Sequence, residues 1–543
     1  MIQFTRKYTL FLFLLLPMLW ACENFLEEVN PAEITTDFLY TTKAGLQNAV
    51  NGLYALERNQ VDDQESTYFA LIQGDGGTDI DFIRAAVSSN LARYREDVDL
   101  TTEAAVRSWW RKWYTIIERT NSIIINGNKA EITEIEKKEI LREAYIHRAN
   151  AYFWLLRKFD NIWLNLEATD YSNLSGRTYV AANQEDVYKV IVSDLDSAIS
   201  YYGTNYSTIP GKYGLGAALF LRIDVALWQK DYVTAGTLSE KLIKEGPYTL
   251  VEPAEIFTKD GRNSSKETIY ALQLDEFAQG GAIPTTSGST GHRLPLTFTT
   301  QYRSVPGMIK ATELGGYGWA RIAANEYLTG LYDPTYDKRY DAFWQHYYQY
   351  NDPAFNYAGT GYQLGDTLKP NQNSSLTGIN FYINASVSCK KYWDWNKDPD
   401  VRISYNNIIV YRFAEVYLMA AEAFLKSGDM TKARYYINLL RFNRINAGAP
   451  NRLWVNFTED RLLEEYAREM AFEGRRWFTL KRFGKLVEQV RLHGGQSSFR
   501  GMPSPDPNYF IGRSNIQDYH LRWPIPQSEI DAMGGTFMQN DGY

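Results

Sequence analysis

The chain has 543 residues, a formal charge of −7, and 45% apolar and 15% aromatic residues. No basic stripe interrupts the acidic balance, which argues against nucleic acid as a partner. The 14 Trp, 40 Tyr and 26 Phe instead provide rigid, amphipathic contact area of the kind that stacks on ligands and fills interfaces.

The first element is an apolar run, Tyr8 to Ala21, preceded by Arg6 and Lys7 and interrupted by Pro17. It is too short to cross a bilayer and has the layout of a secretory signal: positive start, apolar core, small residue at the cut. Leu19-Trp20-Ala21-Cys22 resembles the bacterial lipobox, in which the cysteine is lipidated and becomes the first mature residue. Several acyl chains on Cys22 would give a stable anchor, since each buried CH₂ adds about 0.8 kcal/mol. Cys389 then has no partner for an intrachain disulfide.

Residues 22–250 read mainly as helix. Thr101 to Asn126, Glu134 to Phe159 and Gln184 to Tyr202 carry apolar residues at three- and four-residue spacing. Tyr213 to Tyr248 reads as two helices joined near Gln229–Asp231 and stopped by Gly246-Pro247. A second such hairpin runs from Tyr411 to Gly448, and in register Asp231 matches Asp429, Ala235 matches Ala433 and Leu242 matches Leu440. Asp caps the second helix, and Ala one turn later permits close approach. This is tetratricopeptide-like logic, with degenerate copies expected in residues 103–160. Residues 251–400 differ in texture: Gly, Pro, Ser, Thr, Asn and Tyr abound, with eight tyrosines in residues 332–362. They are expected to form ordered loops mounted on the scaffold, where function usually sits. Residues 401–543 return to helix. The predicted fold class is mainly α, with helical hairpins as scaffold and a large irregular insertion carrying the ligand face.

Five segments, in order, carry a family resemblance. They are CENFLEEVNP from Cys22, LFLRIDVALWQKDYVTAGTLSEKLIKEGPYTL, YRFAEVYLMAAEAFLKSGD, TEDRLLEEYAREMAFEGRRWFTLKRFGKL and the closing WPIPQSEIDAMGGTFMQNDGY. Together they resemble the SusD/RagB family of outer-membrane nutrient-binding lipoproteins. The resemblance implies a helical fold with a loop-built ligand face and a lipid anchor at Cys22, facing outward from the outer membrane. It also implies a SusC-like TonB-dependent transporter as partner, over which the lipoprotein closes like a lid. Glycans are the implied ligands, peptides less often; neither catalysis nor a cofactor is implied.

Two loops are candidates for ligand contact. GDGGTDIDF, from Gly74 to Phe82, places Asp75, Asp79 and Asp81 close together, but it lacks the glycine and the bidentate glutamate of a calcium loop. A capped structural loop and direct ligand contact both remain open. The resemblance favours contact and extends it into FIRAAVSSNLARY, with Phe82 for stacking and Arg84, Asn90 and Arg93 as hydrogen-bonding groups. GGYGWAR, from Gly315 to Arg321, offers Tyr317 and Trp319 on a glycine-rich loop, either exposed for sugar stacking or packed beneath the loop itself.

Other polar clusters read as structural. Asp337 and Arg339 form an expected pair, and the Arg475, Arg476, Lys481 and Arg482 cluster is expected to pair with Glu469 and Glu473. Arg412 and Glu415 read the same way. The five histidines show no metal spacing, and no hydrolase or P-loop motif occurs. A peptide binder, a helical glycosidase working through two carboxylates, and a scaffold gripping other proteins are the alternatives.

Overall fold

The computed structural model describes residues 36–62, 75–84, 90–169, 177–206, 210–258, 262, 266–274, 291–499, 502–503 and 507–543. The signal segment and Cys22 lie outside these residues, as do residues 85–89 of the FIRAAVSSNLARY stretch.

Helix α1 (Lys43–Asp62) leads to the long pair α2 (Ala104–Lys129) and α3 (Glu134–Phe159). The predicted start of α2 was Thr101, but Leu100–Thr102 is a 3₁₀ turn capped by Asp99, and Glu103 serves as N-cap. In α3, Thr133 and Glu136 form a reciprocal capping box that fixes the entry turn. Along α2 the three- and four-residue spacing buries Trp109, Trp113, Ile116, Ile117, Ile123 and Ile124 on one stripe. Trp113 stacks on Trp154 of α3 at 5.7 Å.

The two hairpins read from sequence are present. Helix α4 (Gln184–Tyr202) precedes α5 (Leu215–Trp228) and α6 (Tyr232–Glu245); further along are α7 (Phe413–Lys426) and α8 (Met430–Arg444). Asp231 accepts from the Thr234 N–H at 3.1 Å, and Asp429 accepts from the Lys432 N–H at 3.0 Å. Each aspartate thereby satisfies an N–H that the helix start leaves without a partner. Ala235 and Ala433 are fully buried. From α2 to α8 each helix packs on its predecessor, and α7 rests on α6 despite the 167 residues from Gly246 to Arg412 between them. The insertion therefore leaves the helical row at α6 and returns to it at α7.

Short antiparallel pairs fasten the insertion. Strand β1 (Asp81–Ile83) pairs with β3 (Ile322–Ala324), setting Phe82 opposite Ala323. Strand β2 (Thr268–Leu272) pairs with β6 (Ile408–Arg412), and β4 (Trp344–Gln345) with β5 (Ser388–Cys389). Of the eight tyrosines in residues 332–362, Tyr332, Tyr348, Tyr350 and Tyr362 are buried and only Tyr347 is exposed. Tyr350 and Tyr362 stack at 4.2 Å, with Phe355 and Tyr357 packed edge-on. Most of these rings hold the loops together. Further along, α9 (Glu459–Met470) packs beside α7, and α10 (Arg476–Arg482) packs on α9.

Candidate functional site

The aspartate loop faces inward. Gly474 and Arg476 donate backbone N–H groups to Asp75, the latter at 3.0 Å, and the Arg476 side chain holds Asp79 with bonds of 2.8 and 2.6 Å. Asp81 accepts from the Gly77 and Thr78 N–H groups at 3.1 and 2.8 Å. Burial pushes Asp75 up to about 7 and Asp81 up to about 8, while the amide bonds pull the other way. Phe82 lies within β1, buried, 5.6 Å from the Tyr509 ring. Ligand contact is therefore corrected for Asp75, Asp79 and Phe82: the pairing of β1 with β3 and the burial of the loop leave them almost no exposed surface. Of the two readings of this loop, the capped structural one fits the geometry. Asn90 is half-buried, and its amide donates to Glu103 at 2.6 Å, tying this turn to the start of α2.

Arg84, at the end of β1, is placed differently. Its N–H donates to the Arg321 carbonyl at 3.1 Å, which brings the aspartate-loop strand beside the second candidate loop. That second loop is braced along its length. The N–H groups of Trp319, Ala320 and Arg321 donate to the carbonyls of Leu296, Thr299 and Thr297 at 2.7, 2.7 and 2.9 Å. A Cβ on Gly318 would lie 1.8 Å from the Thr300 carbonyl oxygen, so only glycine permits this approach. Gly315, at φ +82°, sits directly against the indole of Trp393, which donates its Nε1–H to Thr299 at 2.8 Å. The rigid brace leaves Tyr317 and Trp319 half-buried, neither swallowed by the core nor free in solvent.

Cations surround both rings. The guanidinium carbons of Arg303 and Arg402 lie 3.8 and 4.3 Å from the Tyr317 ring centre, and Lys310 lies at 5.7 Å. Arg402 also donates to the Tyr317 hydroxyl at 3.2 Å. Arg321 and Arg293 lie 4.5 and 5.8 Å from the Trp319 ring centre. Such contacts are favourable where the ring's negative face meets a cation, each contributing about 0.5–1 kcal/mol at exposed positions. Trp395, 39% exposed, packs edge-on to Trp393 and adds a further ring on the neighbouring segment.

Comparison with known proteins places the chain in a family. The model of the SusD family matches residues 260–543, and a second model, described as starch-binding associating with outer membrane, matches residues 24–213. This chain belongs to the SusD family. The SusD-like protein P2 of Formosa agariphila is 26% identical over 566 residues, covering 99% of this chain and all of that one. Among solved structures, a SusD homolog from Bacteroides thetaiotaomicron superposes with TM-score 0.73 at 19% identity, over 94% of this chain and 99% of that one. Surface glycan-binding protein A from the same organism gives TM-score 0.69 at 20% identity, over 93% and 100%. The two likenesses speak to the fold, which in this chain is mainly helical.

The remaining charged residues of this SusD-family chain build its interior. Arg412 reaches Glu267, Glu469 and Glu473 at 2.7, 2.6 and 2.8 Å, and Arg444 reaches Glu267 and Glu469 at 2.7 and 3.0 Å. Arg339 pairs with Asp337 as predicted, at 2.8 Å, and also with Glu465 and Glu469 at 2.9 Å. The structural role expected for the Arg475, Arg476, Lys481 and Arg482 cluster holds, but the partners differ: Arg475 meets Glu415, Arg476 meets Asp79, Lys481 meets Asp160, and Arg482 meets Glu422 and Asp224. Glu469 and Glu473 are taken by cations from other segments. The sequence reading missed Arg293, Arg303, Arg402 and Trp395 at the aromatic loop, because they come from separate stretches with no shared motif. The nearest signal was the aromatic pair of YWDWNKD, at Tyr392 to Asp398.

Proposed function

We propose that this chain is an outer-membrane surface lipoprotein, tethered through a lipidated Cys22, that binds an extracellular oligosaccharide and delivers it to a SusC-like TonB-dependent transporter. The observation that carries the reading is Trp319, a half-buried indole on a braced loop among hydrogen-bond donors. Sugar rings present C–H faces that pack on such a ring, while guanidinium groups bond the hydroxyls and fix orientation. The description of the matching N-terminal model and the name of surface glycan-binding protein A support the ligand class. Capture and hand-over require no bond cleavage, so the chain acts here as a binding protein without catalysis or cofactor. Arg84, which meets the Trp319 loop through Arg321, completes the ligand face; Tyr317 organises it.

Calorimetric titration of soluble residues 23–543 with a panel of oligosaccharides tests the reading. Binding without release of new reducing ends is expected, together with loss of growth on the corresponding polymer when the gene is deleted. A protein that binds no glycan in the panel, from a strain whose deletion alters growth on none, would remove the proposal. A parallel peptide panel distinguishes the peptide-binding alternative. The anchor has its own test: Cys22→Ala should abolish incorporation of labelled palmitate, and unchanged labelling would overturn that part.

A further inference from the structure

The chain is acidic overall, yet around Tyr317 and Trp319 the structure gathers Arg84, Arg293, Arg303, Lys310, Arg321 and Arg402. Among the described residues, no carboxylate forms an ion pair with Arg84, Arg293, Arg303 or Arg402. The acids on the flanking segment are engaged elsewhere. Asp394 accepts from the Ser404 hydroxyl at 2.8 Å, Asp398 accepts from the Asp400 N–H at 2.8 Å, and Asp400 pairs with Lys310. Glu313, on the same loop, is exposed and makes no pair with these arginines.

The Nε–H groups of Arg84 and Arg303 are, moreover, buried without a hydrogen-bond partner. A buried donor left unpaired is costly, and more so when it carries charge. A neutral sugar offers hydroxyl acceptors but no charge to balance several guanidinium groups. A carboxylate or sulfate ester offers both, and its planar or trigonal oxygens match the guanidinium fork. The Tyr317 ring, covered by Arg303 and Arg402, then acts as the spacer that holds two cations apart, leaving Trp319 to receive a sugar face.

We propose that this loop selects an anionic oligosaccharide, bearing uronate or sulfate groups, whose charges are received by Arg303 and Arg402 beside Tyr317 and by Arg293 beside Trp319. The proposal rests on the glycan-binding reading above and narrows its ligand class.

The test titrates soluble residues 23–543 with three probes: a neutral malto-oligosaccharide, an alginate oligosaccharide carrying carboxylates, and a sulfated galactan oligosaccharide. Binding to at least one anionic probe, with little to the neutral one, is expected, and the stronger anionic arm identifies carboxylate or sulfate. Affinity should fall as salt rises from 50 to 500 mM, because screening shortens the reach of the patch. Arg402→Ala, at an exposed position that leaves folding intact, should weaken anionic binding about tenfold. Arg303→Lys, which keeps charge but loses the fork, should weaken it less than Arg303→Ala. Equal binding of neutral and anionic probes, unaffected by salt or by Arg402→Ala, would overturn the anionic assignment while leaving glycan binding intact. Failure of all three probes together with the wider panel would instead overturn the glycan reading itself.

Discussion

Two sets of arginines in this chain meet opposite fates. Around Glu469, the guanidinium groups of Arg339, Arg412 and Arg444 are fully buried, and each has at least two carboxylate partners within 3.0 Å. Around Tyr317 and Trp319, Arg293, Arg303 and Arg402 have rings instead of acids. Desolvation explains the first set: a buried cation is tolerated only when paired and hydrogen-bonded. No such requirement forces arginines to gather at a surface loop of an acidic protein. The interior set holds segments together, and the surface set leaves charge available to something outside the chain.

Removing the interior balance should have the largest effect. Glu469→Ala takes one carboxylate from each of three buried guanidinium groups at once, and breaking a buried pair from one side costs about 3–5 kcal/mol. The variant is expected to melt far below the parent or to accumulate unfolded, as read by circular dichroism and urea titration. A loss under about 1 kcal/mol would mean that the hub does not hold the insertion to α8 and α9.

Acidity probes the same contrast more gently. Burial alone would raise Glu469, but Arg444, Arg412 and Arg339 outweigh it and hold its carboxyl well below the ordinary value of 4.5. Because that folded value lies below the unfolded one, the stabilisation is complete above about 4.5 and is lost as pH falls toward the folded value. Asp75 runs the other way. Burial raises it to about 7, so its contribution is complete below its unfolded value of 3.8 and is lost as pH rises through about 7. The melting temperature should therefore be highest between about 3.8 and about 4.5, where the two contributions overlap, and should decline from there to about 7. A monotonic rise to pH 9 would show that Asp75 is ionised in the folded protein.

The surface set depends on the brace beneath it. Gly318→Ala would drive a methyl group into the Thr300 carbonyl, at a cost of about 1–3 kcal/mol, and would shift the loop that aims both rings. Glycan affinity is expected to fall more than tenfold, while the hub and overall helicity stay intact. Retained affinity would place the ligand away from this loop.

How far the sequence disclosed this molecule follows the same division. Helical periods, the Asp231 and Asp429 caps and the 229–231 joint are local, and they are where the residues predict them. The hub was legible as structural, but not in its pairings: Glu469 looks toward Arg475 and Arg476 along the chain, whereas packing delivers Arg339, Arg412 and Arg444 to it. At the site, Tyr317 and Trp319 were visible because glycines flank them. The arginines from elsewhere were not, since residues 293, 303 and 402 converge only after β3 pairs with β1 and the 393–402 segment folds beneath Gly315. The polar texture of GDGGTDIDF suggested contact with a ligand, yet the strand that follows is buried on both faces, which a three-residue stretch cannot signal by alternation.

The finest test separates the two jobs of Tyr317. Its hydroxyl accepts one bond from Arg402, while its ring bears Arg402 and Arg303 over its surface. Tyr317→Phe deletes only the first and keeps the cation contacts, so Arg402 gains freedom without leaving. Affinity for an anionic oligosaccharide should then drop about two- to fourfold, ~0.5 kcal/mol, and thermal stability should not change. Tyr317→Ala removes the spacer as well, and should approach the loss seen with Arg402→Ala. If Phe and Ala weaken binding equally, the hydroxyl itself touches the ligand, and Tyr317 belongs with the contacting groups as well as with those that position the arginines.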